Sequence, residues 1–151
     1  MDNYEFSNKI TTVALNKFDK KTMKKLLSDK GDRQVNGQAL LDYLCDKFKI
    51  AHVHLTVADK NRVKKGRGTT HGFIRMGLNL KENSDTLWKS KYIVVYNKTA
   101  VRGQTVSIKE FTDTLLHEFI HHYDIQFLKM VNSIHSAGFY KRISDLKAKL
   151  V

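Results

Sequence analysis

The stretch from Ser107 to about residue 131 constrains this chain more than any other part of it. It opens with Ser107-Ile108-Lys109-Glu110, an S-x-x-E capping box ahead of an apolar run. Ile108, Phe111, Leu115, Phe119 and Tyr123 then recur at helical spacing, and Leu116, Ile120 and Phe127 form a second apolar edge. A helix apolar over so much of its surface belongs in a core. Yet the same helix carries His117-Glu118-Phe119-Ile120-His121, an H-E-x-x-H pattern. Residues i and i+4 stack on one helix face, so His117 and His121 can offer imidazole nitrogens to one ion. Glu118 is placed to reach a water beside that ion as a general base. Buried polar groups are costly without partners, and a metal ion supplies one. The bland alternative is a polar stripe on a surface helix, hydrogen-bonded and chemically idle.

A catalytic tetrahedral zinc site takes three protein ligands and keeps one position open. The downstream candidates are His122, Asp124, His135 and Asp145. His122 points about 100° away from His121 on the helix. Asp124 fits better as a carboxylate that holds an imidazole, and Asp113 could play that part from the other side. His135 lies past Asn132-Ser133, where the helix is expected to end, which leaves room for a return to the ion. Ligand chemistry and spacing favour His135 over Asp145, a carboxylate on a later helix. The expected set is therefore His117, His121 and His135 on Zn2+, with Glu118 catalytic. An ordinary loop histidine is the idle reading of His135.

The H-E-F-I-H pattern followed by His135-Ser136-Ala137-Gly138-Phe139 resembles the SprT-like (Spartan-type) zinc metalloprotease domain. That family sets a third His at the head of an H-G-x-x-F segment opening another helix. The resemblance implies that His117, His121 and His135 are zinc ligands, that Glu118 is the base, and that Phe139 packs behind the site. It also implies a small zincin-like domain and a protease acting near DNA on bound or crosslinked proteins. Ser136 departs from the glycine usual at its position. The specific likeness covers residues from about 105 to 140, with weaker support from 50 to 100. Many relatives add a Cys-rich zinc ribbon; with Cys45 the lone cysteine of the 151 residues, none is expected within them.

The length, 151 residues, fits one domain over 1–151, with a single core and a cleft. The formal net charge of +12 favours polyanionic partners. No acidic residue occurs from Lys60 to Lys81, and Lys60, Arg62, Lys64, Lys65 and Arg67 crowd one short segment. Lysines dominate the basic residues, which suits nonspecific DNA contact through phosphates rather than base readout. A solvated basic face is the plainer reading. No apolar run approaches a membrane span, and the N-terminus lacks a signal-peptide layout. Cys45 fits a reducing compartment, so a cytoplasmic protein with no membrane partner is expected.

The expected elements are helices over 12–30 and 37–48, a strand over 51–58, a basic loop over 59–68 and a strand over 69–78 with Gly72, Ile74, Met76 and Leu78 in phase. A strand over 91–97, the motif helix over 107–131 and a last helix over 136–149 follow. Helices around a small three-stranded sheet make an α+β fold. His52, His54 and His71 read as solvent-face strand residues. Trp88, Tyr92 and Tyr96 read as packing residues, or as a platform for stacking bases. The expected activity is a zinc metalloendopeptidase acting on DNA-associated protein substrates. The alternatives are a regulatory peptidase that cuts a repressor, or a non-catalytic basic DNA-binding module with a structural metal. The first would place an acidic ligand in an E-x-x-A pattern, which the sequence lacks.

Overall fold

The structure, a computed structural model, describes residues 2–65, 68–78 and 88–151. Gly66, Arg67 and Lys81, together with the side chain of Lys65, lie outside the described residues. The elements run α1 (Asn3–Lys9), α2 (Lys20–Leu26), α3 (Arg33–Phe48), β1 (His54–Asn61), β2 (Val63–Lys65), β3 (Gly68–Thr70), β4 (Gly72–Leu78), β5 (Trp88–Lys98), α4 (Ile108–Gln126) and α5 (Ala137–Leu150). The class is α+β, as expected.

Strand β5 is the middle of a three-stranded sheet, parallel to β1 and antiparallel to β4. Its alternation points Ile93 and Val95 inward, and both are fully buried. Helix α3 packs on β1 and α4 crosses β5 and β4. Two glutamines of α3 then cover the outer edge of β1. Gln38 spans the Val53 carbonyl and the Leu55 N–H; Gln34 spans the Leu55 carbonyl and the Val57 N–H. Side-chain amides thus replace a neighbouring strand, which closes an edge that would otherwise invite pairing. Phe111, Leu115, Phe119 and Tyr123 of α4 meet Leu40, Leu44 and Phe48 of α3 in the core.

Four expectations change. The helix expected over 12–30 forms only as α2. The N–H groups of Val13, Ala14 and Asp19 go to Asp145 Oδ2, the Tyr123 hydroxyl and the Tyr43 hydroxyl, so distant side chains outcompete helix propensity. Asp19 then caps α2 by accepting from the Lys21 N–H. The basic loop over 59–68 is instead the end of β1 and a β2–β3 pairing, with Lys64 opposite Thr69. The strand over 69–78 is split, and a register shift between Arg75 and Met76 breaks its alternation, leaving Leu78 54% exposed. The motif helix stops at Gln126. Lys129 adopts a left-handed backbone (φ 59°), and the Met130 N–H returns to the Asp124 carbonyl. Helix α1 was not anticipated from the sequence.

Candidate metal centre

Helix α4 begins where the capping box places it, with the Ser107 hydroxyl accepting from the Glu110 N–H at 3.1 Å. Its turn brings the His117 and His121 rings to 5.1 Å between centroids. His135 arrives from the loop before α5. Its Nε2 lies 3.2 Å from His117 Nε2 and 3.0 Å from His121 Nε2. Ser136, the departure from the family pattern, caps α5 by accepting from the Phe139 N–H. That cap sets Phe139 against the triad, stacked on His121 at 4.4 Å and edge-on to His117 at 5.0 Å.

Nε2 atoms this close bring lone pairs together wherever neither a ring proton nor an ion lies between them. In neutral imidazole one ring nitrogen carries the proton and the other a lone pair. Ser133 assigns the two in His121. Its hydroxyl donates to Asp124 Oδ2 at 2.7 Å, so its oxygen accepts from His121 Nδ1 at 2.8 Å. The lone pair of His121 therefore sits on Nε2, facing the other two rings. Burial, then the neighbouring imidazoles, hold His121 down at about 3 and His117 at about 4. Both are neutral donors at pH 7. An ion bonded tetrahedrally to nitrogen at about 2.0–2.1 Å sets its donors about 3.3 Å apart, close to what is seen here. His117, His121 and His135 lie close enough to bind a metal ion.

Glu118 stands beside the triad, Oε1 3.9 Å from His117 Nε2, and is 6% exposed. Burial pushes its carboxyl up to about 7. The triad and Glu118 line a cleft of about 550 Å3 between α4 and residues 69–74 of β3 and β4. A second recess of about 420 Å3 shares Ile74 and His121 and continues to Met76, Trp88 and Val131.

The remaining expected residues take distinct places. Asp124 does hold an imidazole, one hydroxyl removed from it. Burial raises its carboxyl, while Arg142 and then Ser133 pull it back. Asp113 lies on the cleft wall with Oδ1 2.6 Å from Lys147 Nζ. Asp145 is occupied elsewhere, by the Val13 N–H at 2.9 Å and Lys149 at 2.6 Å. His122 is buried on another side of α4, its Nε2 donating to the Ala51 carbonyl and Nδ1 meeting Ser90 Oγ. Tyr123 is buried too, its hydroxyl accepting from the Ala14 N–H. Tyr140 is half exposed beside the triad, 6.0 Å from His135 between ring centroids.

Of the basic set, Arg62 is turned inward at 8% exposure, near Glu110 and Thr114, and is withdrawn from a nucleic-acid surface. Lys60 and Lys64 are exposed. Tyr92 and Tyr96 cluster with Phe73 on the face of the sheet opposite Ile93 and Val95. His52 pairs with Asp42 and Asp46 at the surface. His71 is exposed, as expected, and its exposed side chain also lines the cleft. Sequence reasoning also passed over Ser133 and Arg142. Ser133 sits two residues before His135, a proximity that could have marked it; Arg142 carries no such local signal. Compared with known proteins, the chain matches no family model, no curated sequence and no solved structure.

Proposed function

We propose that this protein is a zinc-dependent endopeptidase of the H-E-x-x-H type, acting on proteins bound or crosslinked to DNA. The observation that carries the reading is the convergence of three imidazole Nε2 atoms beside a buried glutamate on the wall of a cleft. Three imidazole nitrogen donors, with no fourth ligand in the group among the described residues, suit a zinc site with an open position. Zinc bound there supplies a Lewis acid for the scissile carbonyl and acidifies water beside it.

The chain's own residues do the rest. Glu118 takes the attacking water's proton and passes it to the leaving amine. Burial raises its carboxyl in the metal-free chain, and the charge of a bound ion works against that rise, favouring the carboxylate that accepts the proton. Strand β4 is an edge strand among the described residues, so its backbone can pair with an extended substrate lying in the cleft. The recess beyond His121 lets a polypeptide continue past the triad, which cleavage inside a chain requires.

The DNA part of the reading rests on charge. The basic β2–β3 pairing borders the cleft, because Lys64 faces Thr69 across the ladder and Thr69 lines the cleft. DNA held on that hairpin sits near the peptide being cut. The test is Glu118→Gln, assayed on a DNA-bound protein and on a free peptide. Retained zinc and fold with abolished cleavage of both supports a base in an enzyme. Cleavage equal to the parent's defeats it, and a parent chain that binds zinc but cuts neither favours the structural-metal module.

A further inference from the structure

Arg142 is the largest fully buried side chain of the described residues, 0% exposed on α5. A guanidinium has five N–H donors. Every one of them is used. Nε and Nη2 grip Asp124 in a two-pronged contact at 3.0 and 2.8 Å. Nη1 donates to the carbonyls of Ser7 and Ile10, both at 2.6 Å, and Nη2 also donates to Ser7 Oγ at 3.0 Å. Buried ion pairs are weak sources of stability, since apolar residues of similar size often serve as well. What such a pair does supply is fixed geometry.

That geometry leads in two directions. Toward the centre, Asp124 Oδ2 receives the Ser133 hydroxyl, whose oxygen holds His121 Nδ1. Toward the N-terminus, the same segment that Arg142 grips also holds the loop bearing His135. Asn8 Oδ1 accepts from the Gly138 N–H at 2.8 Å, Ser7 Oγ pairs with Ser136 Oγ at 2.6 Å, and Asn3 Nδ2 donates to the Asn132 carbonyl at 2.6 Å. The contact is tight enough to exclude any side chain at Gly138, where a Cβ would stand 2.0 Å from the Ser7 carbonyl oxygen.

We propose that Arg142 and the N-terminal segment it clasps, residues 3–10, are positioning elements of the metal centre. Through Asp124 and through residues 132, 136 and 138 respectively, they hold Ser133 and His135 in the orientation that binds the ion. The inference rests on metal binding by the triad as read above, but not on peptidase activity. Groups behind the ligands typically set metal affinity by about 10–100-fold.

The experiment measures zinc affinity of the full chain by competition with a chromophoric chelator. The absorption spectrum of the Co2+ form and the melting temperature of the metal-free form are recorded alongside. Arg142→Lys keeps the charge and loses the two-pronged grip; about tenfold weaker zinc binding and an altered Co2+ spectrum are expected. Ser7→Ala should shift affinity in the same direction by a smaller factor, and it decides the matter if Arg142→Lys does not fold. Ser133→Ala should lose affinity and Ser133→Thr, which keeps the hydroxyl, should restore it. A purely architectural role would lower melting temperatures but leave zinc affinity at the parent value in Arg142→Lys or Ser7→Ala, and that result overturns the proposal. A parent chain that binds no zinc overturns it together with the metal reading. A parent that binds zinc but cuts no protein, with the variants weakened as expected, upholds it and defeats only the peptidase.

Discussion

The hydroxyl of Ser133 stands 2.8 Å from Nδ1 of His121, and this one contact decides which side of the imidazole is free. Its single proton is committed to Asp124, so the serine can only accept from the ring. Nε2 is then the lone-pair nitrogen, pointing at His135. A histidine on a helix face is in this way given a defined tautomer, with its lone pair toward the other two rings.

The third ligand can be assigned by metal analysis. His135→Ala should bind much less zinc than the parent. Asp145→Ala should keep its zinc and lose stability instead, because Asp145 Oδ2 receives the Val13 N–H. The reverse pattern would mean that the third ligand is misidentified.

The pH profile of kcat/KM should carry an acidic limb. The base must be ionised to accept a proton, and burial lifts Glu118 from 4.5 to about 7. Activity should therefore rise with pH across that interval. The positive charge of a bound ion moves the limb below 7 and does not remove it. A profile with no acidic limb down to the pH at which zinc is lost would exclude Glu118 as the base.

In chelator, stability should fall as the solution is acidified. His117, His121 and His122 have folded values of about 4, 3 and 4 against 6.5 for an ordinary imidazole, with burial the main cause. Below 6.5 the unfolded chain binds more protons at these three, so their contribution is lost as pH drops through the folded values. Glu118 acts oppositely. Its raised value gives stability below 4.5 that disappears as pH rises through about 7. Asp124 and His52 are also raised, by less, and act in the same sense as Glu118; the three large depressions outweigh them together, and denaturant midpoints measured from pH 7 to 4 should decrease. Midpoints that increase over that range would refute the balance.

Truncation should hurt the core in which the motif helix lies. Phe119 is 0% exposed and Leu115 1% exposed. Replacing either with Ala should cost about 2–5 kcal/mol by denaturant unfolding. A much smaller loss would place α4 at the periphery.

DNA binding should be electrostatic and indifferent to sequence. Neutralising Lys64, Lys65 and Arg67 together should reduce the salt dependence, by up to about 0.9 log unit of slope for each duplex phosphate that the variant no longer neutralises. Arg62→Gln should change that slope little, since its guanidinium is buried. An unchanged slope in the triple variant would move the interface, with the lysines of α2 next in line. No DNA affinity at low salt would favour the peptidase that needs no DNA.

Much of the site could be read from the sequence because its signals are local. A cap and a helical period placed α4, and i, i+4 spacing placed His117 and His121 on one face. Spacing and ligand chemistry extended this to His135. The parts that escaped depend on partners far along the chain. Residues 12–19 read as helix until Asp145 and Tyr123 are seen to take their N–H groups. His71 enters the cleft only because β4 runs alongside α4, which strand alternation alone cannot indicate. Arg142 bridges to Ser7, 135 residues away, a separation that no local pattern encodes.

The order of strands also bears on how the chain is made. Strand β5, the middle of the sheet, is synthesised after both of its neighbours. Until residue 98 has left the ribosome, β1 and β4 have no strand to join them, and their inner backbone edges stay open to other chains. The sheet therefore closes in one late event, and α4, which packs on β5, emerges directly behind it. A nascent chain stalled before β5 would be an aggregation hazard, whereas one stalled after it already has the floor on which α4 and its histidines settle.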